Sequence, residues 1–329
     1  MTKETVPAPK FRTSIGGQAL IEGILMRGPG KQAIVVRSPE GLVEKVEELT
    51  LVRDKYPILG LPVIRGAVTF VDSMVKGVKA LMFSADYFPD EDLAEPSKFD
   101  RWLEEKLGNE KMQKFITALA VILSLGLTIL LFFLLPTFLA GLVDPFIKSV
   151  TVHNLIESVI KLIIFFAYLL LCSKQKDIYR VFQYHGAEHK TIFCYEAGLP
   201  LTVENCRIQP RHHPRCGTSF LFVVIIISIL VSAVFSSIFP ISNTFLRMLS
   251  RLAMLPFIVA IAYEFNRLVG RHDNWLTKIL TAPGMWFQLF TTNEPDDEVW
   301  AYANGASTKK FLALSYEVYF QNPGVEFDN

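Results

Sequence analysis

Phe115–Val143 reads FITALAVILSLGLTILLFFLLPTFLAGLV, with no charged side chain between Lys114 and Asp144. A helix needs about 20 apolar residues to cross a hydrocarbon core, and this run exceeds that length. A second uncharged run lies between Arg215 and Arg247, centred on SFLFVVIIISILVSAVFSSIF. Two weaker segments follow them. Residues 152–173 (VHNLIESVIKLIIFFAYLLLCS) carry Glu157 and Lys161, and residues 248–268 (MLSRLAMLPFIVAIAYEFNRL) carry Arg251, Glu264 and Arg267 near their ends. Re-entrant or interfacial helices are the competing reading of this weaker pair; four crossings is the better one. The whole chain agrees: 51% of residues are hydrophobic and the mean hydropathy is +0.33, high for a soluble protein. Lys+Arg 33 against Asp+Glu 32 leaves a net charge of +1, which argues against a nucleic-acid binder that works by neutralising phosphates.

Basic residues are spread unevenly between the runs. Only Lys148 lies between the first two and Arg247 between the last two, with Arg251 just inside the helix. The stretch 174–215 supplies Lys174, Lys176, Arg180, Lys190, Arg207, Arg211 and Arg215. The N-terminal region and the tail after Arg267 are also rich in Lys and Arg. The positive-inside bias therefore predicts that both termini and the central segment face the cytoplasm. Residues 1–15 (MTKETVPAPKFRTSI) lack an apolar h-region, so no signal peptide is expected. The 4 cysteines form no CxxC pair and mostly fall on the reducing side, so disulfides are not expected.

Residues 1–10 read as a disordered polar tail. Residues 11–56 read as a cytoplasmic β-meander. In it ALIEGILMR and QAIVVRS are strands separated by Gly28-Pro29-Gly30-Lys31, and Pro39-Glu40-Gly41 turns into LVEKVEEL. Residues 57–85 read as an amphipathic helix with Val63, Ala67, Phe70, Met74, Val78 and Leu81 on one stripe. Packing on the meander is preferred over lying in the membrane interface. An acidic linker and lead-in helix (86–112), a first transmembrane hairpin (113–173), a cytoplasmic His/Cys segment (174–215) and a second hairpin (216–268) follow. The remainder (269–329) reads as an interfacial helix and cytoplasmic tail; WLTKILTAPGMWFQLF (275–290) suits the headgroup layer. The expected fold is a mostly α-helical polytopic membrane protein with about four transmembrane helices and a small cytoplasmic β-containing N-terminal domain.

The chemistry concentrates in the central segment. It begins Phe182-Gln-Tyr-His185-Gly-Ala-Glu188-His189-Lys190 and ends Arg211-His212-His213-Pro214-Arg215-Cys216-Gly217-Thr218-Ser219. On a helix His185 and His189 stand one turn apart with Glu188 beside them, a spacing at which two imidazoles bind one ion without strain. The residues match H-x-x-E-H, the inverted zinc-peptidase signature, in which the Glu acts as general base. His213-x-x-Cys216 adds two ligand types, and the third ligand is one of His213, Cys216, Glu196 or Glu204. Three readings stay open. One is a catalytic metal on His185, His189 and one further residue, with Glu188 handling protons. A second is a closed structural site of His185, His189, His213 and Cys216. The last is a hydrogen-bonded cluster that binds nothing. In the N-terminal segment, Gln18, Glu22 and Arg27 read first as sheet residues, and second as groups completing that site. His153, Glu157 and Lys161 share one helical face, with Glu157 and Lys161 in the favourable order for an intrahelical pair. That face allows a minor reading as a transport path. Glu264 and Arg267 read as a pair at the cytoplasmic end of the last helix.

GGQALIEGILMRGP, HGAEHK, the CYE around Glu196, HPRCGTSF and TTNEPDDE together resemble the YqhQ-like family of bacterial membrane proteins, from about residue 14 to 300. The resemblance implies a domain of unknown function, sometimes described as a predicted metal-dependent enzyme, in the bacterial cytoplasmic membrane. The leading expectation is a metal-dependent hydrolase, peptidase-like in its motif, using a divalent ion, most simply zinc. His185, His189, His213 and Cys216 are the candidate ligands and Glu188 the catalytic base. The alternative is a non-enzymatic membrane scaffold or biogenesis factor with structural zinc, and the third is a transporter component. The bilayer is the expected partner, with no nucleic acid; protein partners or self-association are left open.

Overall fold

The computed structural model describes residues 10–11, 13, 15–28, 30–50, 52–62, 64–88, 109–143, 145–147, 149–214, 216–270 and 274–301. Most of the expected N-terminal tail, most of the acidic linker with its lead-in, and the C-terminal tail beyond residue 301 lie outside the described residues. The chain divides into two compact units. One is drawn from Met1–Phe88, Leu170–Ile226 and Val259–Asn329, the other from Pro89–Leu169 and Ile227–Ile258.

In the first unit, β1 (Gly16–Leu20), β2 (Gly23–Arg27), β3 (Lys31–Ser38) and β4 (Gly41–Glu48) form an antiparallel meander in chain order. ALIEGILMR, read above as one strand, is the end of β1, a corner at Ile21-Glu22, and β2; Leu20 pairs with Gly23 and Gly16 with Arg27. No Asn-Gly or Gly-Gly marks the corner, because Glu22 itself takes the left-handed backbone, φ 47°. That conformation costs a non-glycine residue about 1 kcal/mol. The Glu22 carboxylate, gripped by Arg180, Arg37 and Tyr184, holds it in place.

Apolar residues run unbroken along β2 and β3 because both sheet faces are covered. Ile24, Met26 and Val35 enter a core with Tyr184, Ala187 and Ile192. Leu25, Ile34 and Val36 join Leu20 and Ala80, with Phe83 packed against them, on the other face. After a short helix α1 (Val52–Lys55), α2 (Ile64–Ala85) supplies Ala80 and Phe83, so it does pack on the meander. Its buried residues are not the predicted stripe: Gly66, Gly77, Ala80 and Ser84 are buried, while Met74 and Leu81 are 42% and 37% exposed. Small residues allow close approach, and the sheet bonds to them directly. Gln18 donates to the Gly77 carbonyl and the Ile21 amide to the Ser84 hydroxyl.

The helices then run α3 (Asn109–Ile129), a π-turn at Leu130–Leu134, α4 (Leu135–Gly141), α5 (Val150–Ser173), α6 (Lys176–Glu196), α7 (Val203–Arg207), α8 (Gly217–Ile238), α9 (Thr244–Gly270), α10 (Trp275–Phe287) and α11 (Asp297–Ala301). The π-turn precedes Pro136, whose ring lacks an amide donor and crowds the preceding turn. Among the described residues, four helical stretches are long and apolar enough to cross a membrane: Phe115–Gly141, Val150–Ser173, Gly217–Ile238 and Thr244–Val269. The two weaker segments are thus continuous helices of 24 and 26 residues, which meets the length criterion. The expected fold class holds.

In the second unit the polar side chains of these helices meet one another. Arg251 donates to both Glu157 oxygens at 3.1 and 3.2 Å, Thr137 donates to Glu157 at 2.9 Å, and Lys161 reaches Ser228 at 3.2 Å. Glu157 therefore takes its hydrogen bonds from other helices and not from Lys161 one turn on. An unpaired charge is costly in hydrocarbon, so the partner that neutralises best wins over the nearest in sequence. Glu264, in the first unit, is likewise clamped by both arms of Arg65 from α2, at 2.6 and 2.5 Å, with Arg267 only at 4.0 Å.

Candidate metal centre

The site is built on α6. The helix ends in a Schellman arrangement: Gly198 takes φ 63°, its amide bonds the Tyr195 carbonyl, and the Leu199 amide bonds that of Cys194. Every residue from Gln183 to Ile192 is buried, although Gln, His, Glu, His, Lys and Thr are among them. Burying polar groups this way is costly unless each is partnered. Most are: Gln183 donates to Asp296, Tyr184 to Glu22, Lys190 to the Arg207 carbonyl, and Thr191 to the Ala187 carbonyl.

His185 and His189 share one face, their ring centroids 4.4 Å apart. His185 Nδ1 lies 2.8 Å from the Thr291 carbonyl and His189 Nδ1 lies 2.6 Å from the Arg211 carbonyl. A carbonyl only accepts, so each Nδ1 carries the proton, and in the neutral ring each Nε2 presents a lone pair. His185 Nε2 faces Cys216 Sγ at 3.1 Å. His189 Nε2 is buried with no hydrogen-bond partner. The thiol itself stands just before α8, approached by the Thr218 amide at 3.4 Å and its hydroxyl at 3.1 Å. Ligand atoms of His185, His189 and Cys216 all lie within 4.8 Å of one another. Two imidazoles beside a thiol, each with its Nδ1–H tied to a backbone carbonyl, is the outer-shell arrangement that orients metal-binding histidines. The residues fit a divalent ion of the zinc type, for which two nitrogens and one sulfur are a suitable donor set.

Glu188 is 3% exposed and sits beneath the backbone of β1: a Cβ on Gly17 would meet its carboxylate at 2.6 Å. One oxygen, Oε2, has no hydrogen-bond partner. Burial pushes its carboxyl up to about 7, outweighing the opposing electrostatic pull of His185 and the hydrogen bond from the Gly17 amide.

The other predicted residues fall elsewhere. His213 is buried but lies outside the ligand group; its amide and carbonyl are both held by the Gln288 side chain at 2.7 Å, and its ring packs on Phe193. Glu196 accepts from the Thr13 amide and hydroxyl and so fastens the N-terminal segment. Glu204 lies in the first turn of α7. Gln18 bonds α2 as described, and Arg27 is half-buried with Asp72 of α2 as its electrostatic neighbour. Glu22 anchors the β1–β2 corner. None of Gln18, Glu22, Arg27, Glu196 or Glu204 is in the ligand group. Sequence reasoning missed the groups that do the orienting. The Arg211 and Thr291 carbonyls are backbone and carry no side-chain signal, and Gln288 and Thr218 look like ordinary polar residues.

The Glu22 network gives a pH prediction. Burial raises its carboxyl, but hydrogen bonds from Arg180 and Tyr184 and the charges of Arg180 and Arg37 outweigh this, leaving it below its ordinary 4.5. A group depressed on folding stabilises above its unfolded pKa and loses that contribution as pH falls through the folded value. The unfolding temperature of the wild type is therefore expected to exceed that of Glu22→Gln at neutral pH, with the gap closing progressively below 4.5. Thermal unfolding of both proteins across pH checks this.

The comparisons with known proteins place the chain in a family. A family profile described as "Protein of unknown function (DUF1385)" matches residues 61–312. The chain is also 36% identical over 305 residues to "Uncharacterized protein YqhQ" of Bacillus subtilis (strain 168), covering 91% of each. The chain belongs to the DUF1385 family. No solved structure matches it. The DUF1385 match contains His185, Glu188, His189 and Cys216 together with Arg211 and Thr291, but begins after β4. Within the family region, then, lie both the ligands and the carbonyls that orient them.

Proposed function

We propose that this DUF1385 protein is a metal-dependent hydrolase of the cytoplasmic membrane, working at the inner face with both termini inside. In this reading the β-containing domain and the His/Cys segment are cytoplasmic. The observation that carries it is that, among the described residues, three ligand side chains come together and not four: His185, His189 and Cys216, with His213 outside the group. Catalytic zinc sites use three protein ligands and keep a position open, whereas structural sites close with four. A bound divalent ion supplies Lewis acidity there. Glu188, next in sequence to His189 and with an unpartnered carboxylate oxygen, serves as the proton acceptor. Its contact with Gly17 fixes where that carboxylate stands.

A second reading has its own support. His185, His189 and Cys216 are all buried, and with Thr291 they bind together α6, the segment before α8 and the segment after α10. A metal in that position can serve as a structural staple in a scaffold or biogenesis factor. Glu188→Gln separates the two readings. The zinc-loaded protein would be screened against quenched peptides, phospholipids and phosphorylated small molecules. For the hydrolase, any activity found falls at least about 100-fold in Glu188→Gln while the metal stays bound. Full activity in that variant would remove Glu188 from the reaction. A harmless Glu188→Gln beside a His185→Ala that lowers folded yield would support the staple.

A further inference from the structure

Helix α2 is apolar on the side that the protein does not cover. Its buried residues are the small ones, Gly66, Gly77, Ala80 and Ser84. At 3.6 residues per turn, Ile64, Val71, Val75 and Met82 fall within an arc of about 40° on the opposite side, and all four are exposed. Arg65, Asp72, Lys76 and Lys79 lie along one edge of the helix and leave this stripe uncharged. The chain leading into α2 continues it: Ile58, in the 3-10 turn Pro57–Gly60, is 72% exposed, and Leu61 is 50% exposed. Single apolar side chains on a surface need no explanation, but a continuous row does.

What covers the row follows from where α2 is seated. A Cβ on Gly66 would meet Ala260 and Tyr263 of α9 at 2.9 Å, and Phe70 packs on Phe220 of α8 with ring centroids 5.8 Å apart. Ala260 and Tyr263 belong to the membrane-length stretch Thr244–Val269, and Phe220 to Gly217–Ile238. Thr244–Val269 has 26 residues, about 39 Å along its axis, which is roughly 9 Å more than a hydrocarbon core of ~30 Å. Ala260 stands about 14 Å from the Val269 end. Even if the whole excess protruded at that end, Ala260 would lie within the hydrocarbon, with the Gly66 backbone beside it. Close approach through a glycine is how helices pair in membranes. Arg65, the charge in this first turn, is held by both oxygens of Glu264, which keeps the pair neutral where the surroundings are apolar. Helix α10 is seated at the same level: Gly284 packs on Ser219 of α8, while Trp275, Ile279 and Trp286 are exposed, as suits a headgroup layer.

We propose that residues 57–75 are a lipid-docking element, immersed in the leaflet on the side of the metal centre, with Ile58, Leu61, Ile64, Val71 and Val75 among the acyl chains. The rest of α2 rises from the leaflet and carries the sheet. Gly77 and Ser84 hold Gln18 and Ile21, and Gly17 stands over Glu188, so the bilayer seats the sheet against the metal centre. The proposal needs the membrane spans and not the hydrolase reading. Nitroxide labels test it on the full-length protein in vesicles of phosphatidylcholine and phosphatidylglycerol. Ile58→Cys, Val71→Cys and Glu44→Cys, the last on exposed β4, are made singly in a Cys172→Ser background, the other three native cysteines being buried. Spin relaxation by oxygen, which concentrates in lipid, is compared with relaxation by a water-soluble chromium chelate. The oxygen-to-chelate ratio is expected to be several-fold higher at positions 58 and 71 than at position 44. An unfolding temperature equal to the parent's establishes that a labelled variant is folded, and Ile64→Cys and Val75→Cys carry the test if either of the first two is not. The proposal is overturned if the ratio at these positions matches that at position 44, which places the face in water. It is also overturned if neither reagent reaches them, as when a second copy of the chain covers the face and the labels couple across it.

Discussion

A chelator of divalent metals is expected to lower the unfolding temperature of the detergent-purified protein and to leave that of His189→Ala unchanged. The effect is large because the site is preformed in the native state and dispersed in the unfolded chain. A ligand present at a thousandfold its dissociation constant contributes about 4 kcal/mol to the folded state. His189 is the informative position. Its Nε2 is buried without a partner, while its Nδ1 is held by Arg211. The imidazole is thus oriented by the protein at one nitrogen and left for an ion at the other. Losing an orienting group typically weakens a metal site 10–100-fold, so losing a ligand should exceed about 100-fold. Differential scanning fluorimetry with and without chelator reads both proteins. A wild type that ignores the chelator would contradict the expectation.

Gly186→Ala should be among the most damaging single-methyl additions in the chain. A Cβ there would overlap the backbone carbonyl oxygen of Asn293. That segment cannot simply retreat, because the Asn293 amide bonds the Phe182 carbonyl at 2.9 Å and, two residues earlier, the Thr291 carbonyl holds His185. Overpacking against fixed backbone costs about 3 kcal/mol. The same displacement moves the carbonyl that orients His185, so metal affinity falls along with stability. Gly126 supplies the control: a Cβ at that helical position meets nothing within 4 Å. Gly126→Ala should be neutral or stabilising by up to about 1 kcal/mol. Unfolding temperature and metal titration on the two variants check the pair.

The four long helices were legible because apolar runs of that length have few other uses. Even the weaker two, with their charges, resolve as continuous helices. The corner at Ile21-Glu22 was not legible, since its left-handed residue is a glutamate held by tertiary ion pairs and no local turn signal exists. The contact face of α2 was misread for a related reason. Hydrophobic periodicity gives weight to large side chains, whereas Gly66, Gly77, Ala80 and Ser84 make the contact by being small. At the metal centre, H-x-x-E-H gave the helical pair and His213-x-x-Cys216 gave a choice of partners. Spacing alone could not choose between them. Gln288 holds the His213 backbone from a site 75 residues away in sequence, leaving Cys216 as the residue near both imidazoles. Charged residues were found individually, but their closest partners were not: Glu157 is held by Arg251 and not by Lys161, and Glu264 by Arg65 more closely than by the expected Arg267, because nearness in sequence does not decide which cation best reaches a carboxylate.

The most direct measurement is the metal content of the purified protein by elemental mass spectrometry, for the wild type, His189→Ala and Glu188→Gln, prepared under reducing conditions. The account predicts about one zinc-like ion per chain in the wild type and in Glu188→Gln, and its loss in His189→Ala. A folded wild type that holds no metal even after reconstitution would contradict it.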